Sequence, residues 1–195
     1  MAPCKELTNG TALIFSAPSG CGKTTIINRL RVKNPQLGFS VSATSRAPRA
    51  GEENGREYYF LSQQEFRERI AQGDFLEWQE VYSGTLYGTL REEVQRMWRN
   101  NMVVLFDIDV KGALNVKREL GDAALTIFIA PPSLDVLRER LENRGTESPE
   151  SIKKRLARAE EEIGYASRFD ITIVNDVLDV AVEEAQRAIQ PFLAL

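Results

Sequence analysis

The chain has 195 residues, 43% hydrophobic and 27% charged, with a formal net charge of −3. At about 100–200 residues per domain this is one globular domain with room for a small insert, able to bury roughly 70% of its unfolded surface without a disulfide or metal staple. Histidine is absent and cysteine occurs only at Cys4 and Cys21, which excludes a Ser-His-Asp triad, a histidine general base, a histidine-ligated metal and a cysteine-rich zinc site.

No apolar run approaches the ~20 residues of a membrane span, and Met1 to Gly10 carries no basic segment followed by an apolar one. The expectation is a cytoplasmic, thiol-reduced protein. The acidic balance argues against nucleic acid and a membrane surface as partners, but a local cation cluster can still bind phosphate.

In chain order, the apolar run Thr11–Ser16 predicts a buried strand, Ala17–Gly22 a Gly/Ser/Pro loop, and Ile26, Ile27 and Leu30 a helix ended by Asn34-Pro35. Residues 39–89 break the rhythm. They hold short extended pieces at Phe39–Val41 and Tyr58–Phe60 around a turn-rich segment, then a helix near 62–72 and an aromatic-rich strand, Phe75–Val81. This reads as an inserted module. Met102–Phe106 predicts a second core strand with Asp107-Ile-Asp109 at its carboxyl end, Thr126–Ala130 a third stopped by Pro131-Pro132, and Ile171–Val174 a fourth. Helical patterns fill 110–119, 133–144 and 177–190. Ser148 and Pro149 suit the start of another helix, whose stripe is Ile152, Leu156, Ala159 and Ile163. Apolar strands alternating with helices predict an α/β fold with a parallel sheet covered on both faces.

Ala17-Pro-Ser-Gly-Cys-Gly-Lys-Thr24 departs from the pattern G-x-x-x-x-G-K-[ST] only at its first residue. Small residues let successive N–H groups turn inward around an anion, at the positive end of the following helix. Lys23 would reach the β- and γ-phosphates of a nucleotide, and the Thr24 hydroxyl would join a Mg²⁺ shell. Ala17 is compatible with the turn if its φ stays negative. The plain alternative is a turn that merely caps a helix. Asp107, after four apolar residues, would hold a water on the same metal, or else cap the next helix. Cys21 sits near a helix N-terminus, where thiols can be activated, or is simply a small side chain.

Arg46 and Arg49, separated by Ala47-Pro48, could clamp one phosphate dianion with the Tyr58 hydroxyl, or stand as a solvated pair. Glu77 lies among large apolar neighbours. Its two oxygens match the N1–H and 2-amino donors of guanine, which adenine lacks, with Ser42 and Thr89 hydroxyls toward O6. A solvent-facing Glu77 is the alternative.

Ser40-Val-Ser-Ala-Thr-Ser-Arg-Ala-Pro-Arg-Ala-Gly-Glu-Glu-Asn-Gly-Arg-Glu-Tyr58 resembles the GMP-binding segment of guanylate kinases. So do Gly73-Asp-Phe-Leu-Glu-Trp78, Asp107-Ile-Asp109 with Gly112, Arg140-Leu-Glu-Asn-Arg-Gly-Thr-Glu147 and Ile173-Val-Asn-Asp176, in order and spacing from about Thr11 to Pro191. The resemblance implies one domain over 1–195: a P-loop core (about 11–36, 90–137 and 168–195), a GMP-binding insert (about 37–89) and a helical lid (about 138–167). It implies transfer of the γ-phosphoryl of MgATP to GMP, giving ADP and GDP, in purine nucleotide metabolism. ATP would lie on Ala17, Pro18, Ser19, Gly20, Cys21, Gly22, Lys23, Thr24 and Thr25, with Asn175 near its base. Guanine would face Ser42, Glu77 and Thr89. Arg46, Arg49, Tyr58 and Tyr87 would hold the GMP phosphate, and Asp107 and Asp109 would stand beside the acceptor and Mg²⁺.

Arg140, Arg144 and Arg155 would reach the transferring phosphates from the lid, joining Lys23 and Arg46 in catalysis. Arg140 and Arg144 are spaced to share one helix face. The segment Tyr82–Thr89 is one residue longer than the family's usual pattern, so Tyr82 is the alternative to Tyr87. Three other readings stay open. One is a kinase for AMP or a pyrimidine nucleotide. The second is a non-catalytic guanylate-kinase-like module, which generally has a damaged ATP loop, whereas Lys23, Thr24 and Asp107 are present here. The third is a GTPase, for which no Asn-Lys-x-Asp motif is found. The sequence also leaves a homo-oligomer open.

Overall fold

The computed structural model describes residues 10–82, 84–143 and 148–193, with only the backbone described at 81 and 82. Strand β1 (Ala12–Ser16) is wholly buried and runs into the Ala17–Gly22 loop, which opens helix α1 (Lys23–Lys33). Strands β2 (Leu37–Phe39), β7 (Val103–Asp107), β8 (Ala124–Ala130) and β9 (Ile171–Val174) join β1 in a five-stranded parallel sheet of order β2-β7-β1-β8-β9.

Alternation along β1 sorts its side chains to the two faces. Leu13 and Phe15 pack with Ile26, Leu30, Ile127 and Ile173, and with helices α5 (Leu134–Glu142), α6 (Pro149–Ile163) and α7 (Leu178–Leu193) through Leu137, Ala159 and Ala185. Ala12 and Ile14 pack on the other face with Val104 and Phe106, and with helices α3 (Arg91–Arg99) and α4 (Val110–Leu120) through Val94 and Val116. Each fully buried side chain of this size contributes on the order of 1.5–3 kcal/mol.

A second sheet, of order β4-β3-β6-β5, is built from β3 (Ala43–Thr44), β4 (Tyr59–Phe60), β5 (Phe75–Tyr82) and β6 (Thr85–Leu90). Its two-residue alternation is the feature that makes a site. Ala43, Leu86 and Tyr59 turn one way, onto Phe66 and Ile70 of helix α2 (Gln63–Ala71). Glu77, Gln79, Tyr87 and Thr89 turn the other way, toward the carboxyl end of β7. Helix α2 starts with a full capping box, the Ser62 hydroxyl accepting from the Glu65 amide and the Glu65 carboxylate from the Ser62 amide.

Several expectations need correction. Residues 37–39 belong to the main sheet, where Leu37 pairs with Val103, so the second module starts near residue 40 rather than 37. Strand β6 and helix α3 follow each other directly; no Gly or Pro separates them and Leu90 gives α3 no side-chain cap, which hid that boundary. Strand β8 starts at Ala124, two residues early. Helix α5 ends at Glu142 and Arg144 lies outside the described residues, so the shared face for Arg140 and Arg144 is not observed. No helix among the described residues is long and apolar enough to cross a membrane.

Candidate active site

The loop after β1 turns on Gly20 (φ 98°) and Gly22 (φ 81°), values that a side chain disfavours, while Ala17 keeps a negative φ. Helix α1 has no side-chain cap and no acid in its first turn, so its leading N–H groups remain for an anion. A Cβ on Gly22 would lie 2.4 Å from Nδ2 of Asn175, the amide that braces the loop by donating to the Cys21 carbonyl at 2.8 Å. Asn175 is 5% exposed. Its part here is to hold the loop's shape, not to line the cleft.

Lys23 opens α1 and reaches across to the end of β7. Its Nζ lies 2.6 Å from Oδ1 of Asp107 and donates to the Ile108 carbonyl at 3.2 Å. Parallel register brings these groups together, since Phe15 of β1 pairs with Asp107 of β7. Asp107 does not cap the next helix. Asp109 does, accepting from the Gly112 amide at 2.9 Å.

Ala17 to Thr25, Asp107 to Asp109 and one face of α6 enclose a cleft of about 780 Å³, within the ~300–1,000 Å³ of small-molecule sites. From α6, Arg155 donates to the Ser19 hydroxyl at 2.5 Å, and Ser151, Lys154 and Arg158 line the same wall. Lys154 and Arg158 escaped the sequence reading, although their spacing from Ser151 puts them on one helical face. Cys21 is buried, and burial pushes its thiol up to about 12, so it packs as a small apolar side chain rather than a reactive thiolate.

A second cleft, of about 270 Å³, opens between the two sheets and is lined by Ser42, Tyr58, Glu77, Gln79, Tyr87 and Gly88, again with Asp107 to Asp109. Glu77 is 8% exposed, and one of its oxygens accepts from the Thr89 hydroxyl at 3.0 Å. Burial first, and the charge of Asp109 after it, push its carboxyl up to about 7 against the pull of Thr89. Gly112 makes room for it, because a Cβ there would stand 3.3 Å from its other oxygen. The solvent-facing alternative for Glu77 is therefore ruled out.

At the outer end, Tyr58 and Tyr87 meet edge to face at 5.9 Å, and the Arg46 guanidinium lies 5.0 Å from the Tyr58 ring centroid. Arg46 is held bidentately by Glu52, both bonds 2.7 Å, and Glu52 also accepts from the Arg49 amide at 2.8 Å. Those bonds, Arg46 first, hold the Glu52 carboxyl down at about 2. The Arg49 side chain is exposed. Glu52 is thus a site neighbour that the sequence reading passed over, though it follows the arginine pair by only three residues.

The structure brings together Lys23, Thr24, Thr25, Asp107, Asp109 and Arg155 at the first cleft, and Ser42, Tyr58, Glu77 and Tyr87 at the second, with Thr89 behind Glu77. It does not bring Arg140 there, whose guanidinium donates to the carbonyls of Asn175 (2.8 Å) and Asp176 (3.2 Å). No side chain is described for Tyr82.

The sequence pattern that defines the family described as guanylate kinase matches residues 9–191. A guanylate kinase of Porphyromonas gingivalis is 54% identical over 183 residues, 93% of this chain and 97% of the relative. One of Salinibacter ruber is 54% identical over 182 residues, 93% of this chain and 96% of the relative. The crystal structure of a guanylate kinase from Anaplasma phagocytophilum superposes with a TM-score of 0.71 at 28% identity, covering 97% of this chain and 89% of that one.

Proposed function

The chain belongs to the guanylate kinase family, and from that premise we propose that it moves the γ-phosphoryl group of ATP onto GMP, yielding ADP and GDP. The observation that carries the proposal is that two clefts share one wall, Asp107 to Asp109. One has a phosphate loop with Lys23, and the other a buried carboxylate.

The donor's phosphates would lie on the loop amides and the N-terminus of α1, with Lys23 leaving Asp107 to neutralise the β- and γ-oxygens. Guanine would offer N1–H and its 2-amino group to Glu77. Adenine has neither donor and would leave the buried carboxylate unpaired. Arg46, Tyr58 and Tyr87 would bind the acceptor phosphate, with Arg49 closing over it.

The transition state of phosphoryl transfer is loose, so the protein's work is alignment and neutralisation rather than proton abstraction, in keeping with a chain that has no histidine. Arg155 bonds to the loop serine Ser19 and would meet the transferring oxygens from there. Residues about 40–90 would act as the acceptor module and 138–167 as a lid that excludes water.

The oxygen donors at the first cleft suit Mg²⁺, a hard cation that keeps most of its waters and rides on nucleotide phosphates. Thr24 would hold it directly and Asp107 through water. When bound there, it would supply charge neutralisation to the transferring phosphates. Among the described residues no cluster of three or more acidic or thiol groups is placed to hold a metal.

A coupled assay with MgATP against GMP, AMP, CMP and UMP tests this reading. GMP should be phosphorylated far faster than the others. Equal turnover of AMP would overturn the role of Glu77, and no turnover of any acceptor would favour the non-catalytic module.

A further inference from the structure

The wall between the two clefts is completed by a side chain that the reaction above does not use. Gln79 stands two residues beyond Glu77, on the same face of β5. It pairs across the hairpin with Tyr87 and lines the acceptor cleft. Its Nε2 donates to Oδ2 of Asp109. A carboxylate can only accept, so chemistry fixes which end of the amide faces it. The other oxygen of Asp109 accepts from the Gly112 amide. Asp109 is therefore gripped by one donor from the core helix α4 and one from the acceptor sheet.

The position of this bond gives it consequence. β5 belongs to the sheet that would carry the acceptor. Asp109 belongs to the turn that both clefts share and that follows the strand facing Lys23. Acceptor and donor phosphates thus ride on different sheets, and transfer requires their reacting atoms to meet within a few tenths of an ångström. A bond joining the two sheets at their common wall sets that spacing.

The residue type matters as well. Asp109 and Glu77 flank Gly112, and the cleft would take a phosphate dianion. A neutral donor at 79 satisfies Asp109 without adding a negative charge.

We propose that Gln79 is a positioning residue for phosphoryl transfer: its hydrogen bond to Asp109 holds the acceptor sheet in register with the donor-side turn. The proposal rests on the acceptor-cleft reading above.

Steady-state kinetics on Gln79→Glu, Gln79→Ala, Asp109→Asn and the double variant Gln79→Glu/Asp109→Asn test it, with thermal melts to verify folding. Gln79→Glu sets two carboxylates against each other and should lower kcat/KM for GMP about tenfold or more, with KM for ATP within about twofold. Made on top of Asp109→Asn, the same change should cost less than about threefold. An asparagine there still caps α4 and can donate to a carboxylate at 79, restoring the bond with its polarity reversed. Gln79→Ala removes the bond without repulsion and should lower kcat more than it raises KM for GMP.

An equal cost of Gln79→Glu in both backgrounds, or a folded Gln79→Ala with unchanged kcat, would overturn the clasp. Titration of wild-type protein with GMP separates the two ideas. Absence of GMP binding overturns the acceptor-cleft reading itself, whereas normal binding without coupling between 79 and 109 overturns only the role of Gln79.

Discussion

Glu77 sets stability and recognition against each other, and Glu77→Gln separates them. The folded carboxyl holds its proton up to about pH 7, whereas an unfolded one releases it near 4.5. Between those values the folded state binds more protons, so stability falls as pH rises across the window and stays reduced above it. The shift corresponds to about 3 kcal/mol. Glutamine keeps the volume and an oxygen for Thr89 but carries no charge. At pH 8 the variant should be more stable by about 2–3 kcal/mol, a rise in Tm of roughly 4–12 °C for a chain of this size. At pH 5, only half a unit above the unfolded value, most of the difference should be gone, leaving under about 1 kcal/mol.

Activity should move the other way. The charge-assisted bonds to guanine are lost and an amide N–H is turned toward guanine donors, so kcat/KM for GMP should fall by about 10²-fold. On the proposed reading only the ionised form of wild-type Glu77 would accept the guanine donors. KM for GMP should therefore rise about tenfold per pH unit below about 7 and level off above it, a limb that the variant's profile lacks. Differential scanning calorimetry without nucleotide at pH 5 and 8, with initial rates from pH 5.5 to 9, reads both effects. A stability difference independent of pH, or a kcat/KM within threefold of wild type, would refute the reasoning.

Lys23→Ala should cut kcat by about 10³-fold or more while GMP affinity, measured by equilibrium titration, hardly changes. Gly22→Ala forces a Cβ to within 2.4 Å of Asn175 at a φ of 81°. It should cost about 1–3 kcal/mol in urea denaturation and weaken ATP binding more than GMP binding. Asp170 accepts from the Thr126 amide (2.8 Å) and hydroxyl (2.7 Å) and pairs with Lys117 (3.0 Å), tying the start of β9 to β8. Burial opposes its ionisation, yet these bonds outweigh it and leave the carboxyl below its usual range. Its contribution is thus present at neutral pH and lost as pH falls through that lowered value. Asp170→Ala should destabilise by about 1–3 kcal/mol at pH 7 and by less at pH 3, read by urea titration at each.

The sequence by itself determined the alternation of buried strands and helices, the glycine-bearing loop before Lys23, and the helix start at Ser148-Pro149. Each is written in short-range spacing: apolar runs, a glycine pattern, a cap three residues from its partner. It also held the chemistry of Glu77 as one of two alternatives. What decided between them was burial, created when β6 supplied Thr89 and α4 supplied a glycine opposite the carboxylate. Asp107 and Asp109 look interchangeable in the sequence, yet parallel pairing with β1 gives one to Lys23 and the other to the cap of α4. Glu52 and Gln79 carry no local signature. Their partners lie 6 and 30 residues away, and only chain folding brings those polar groups close enough for a hydrogen bond to outweigh solvation.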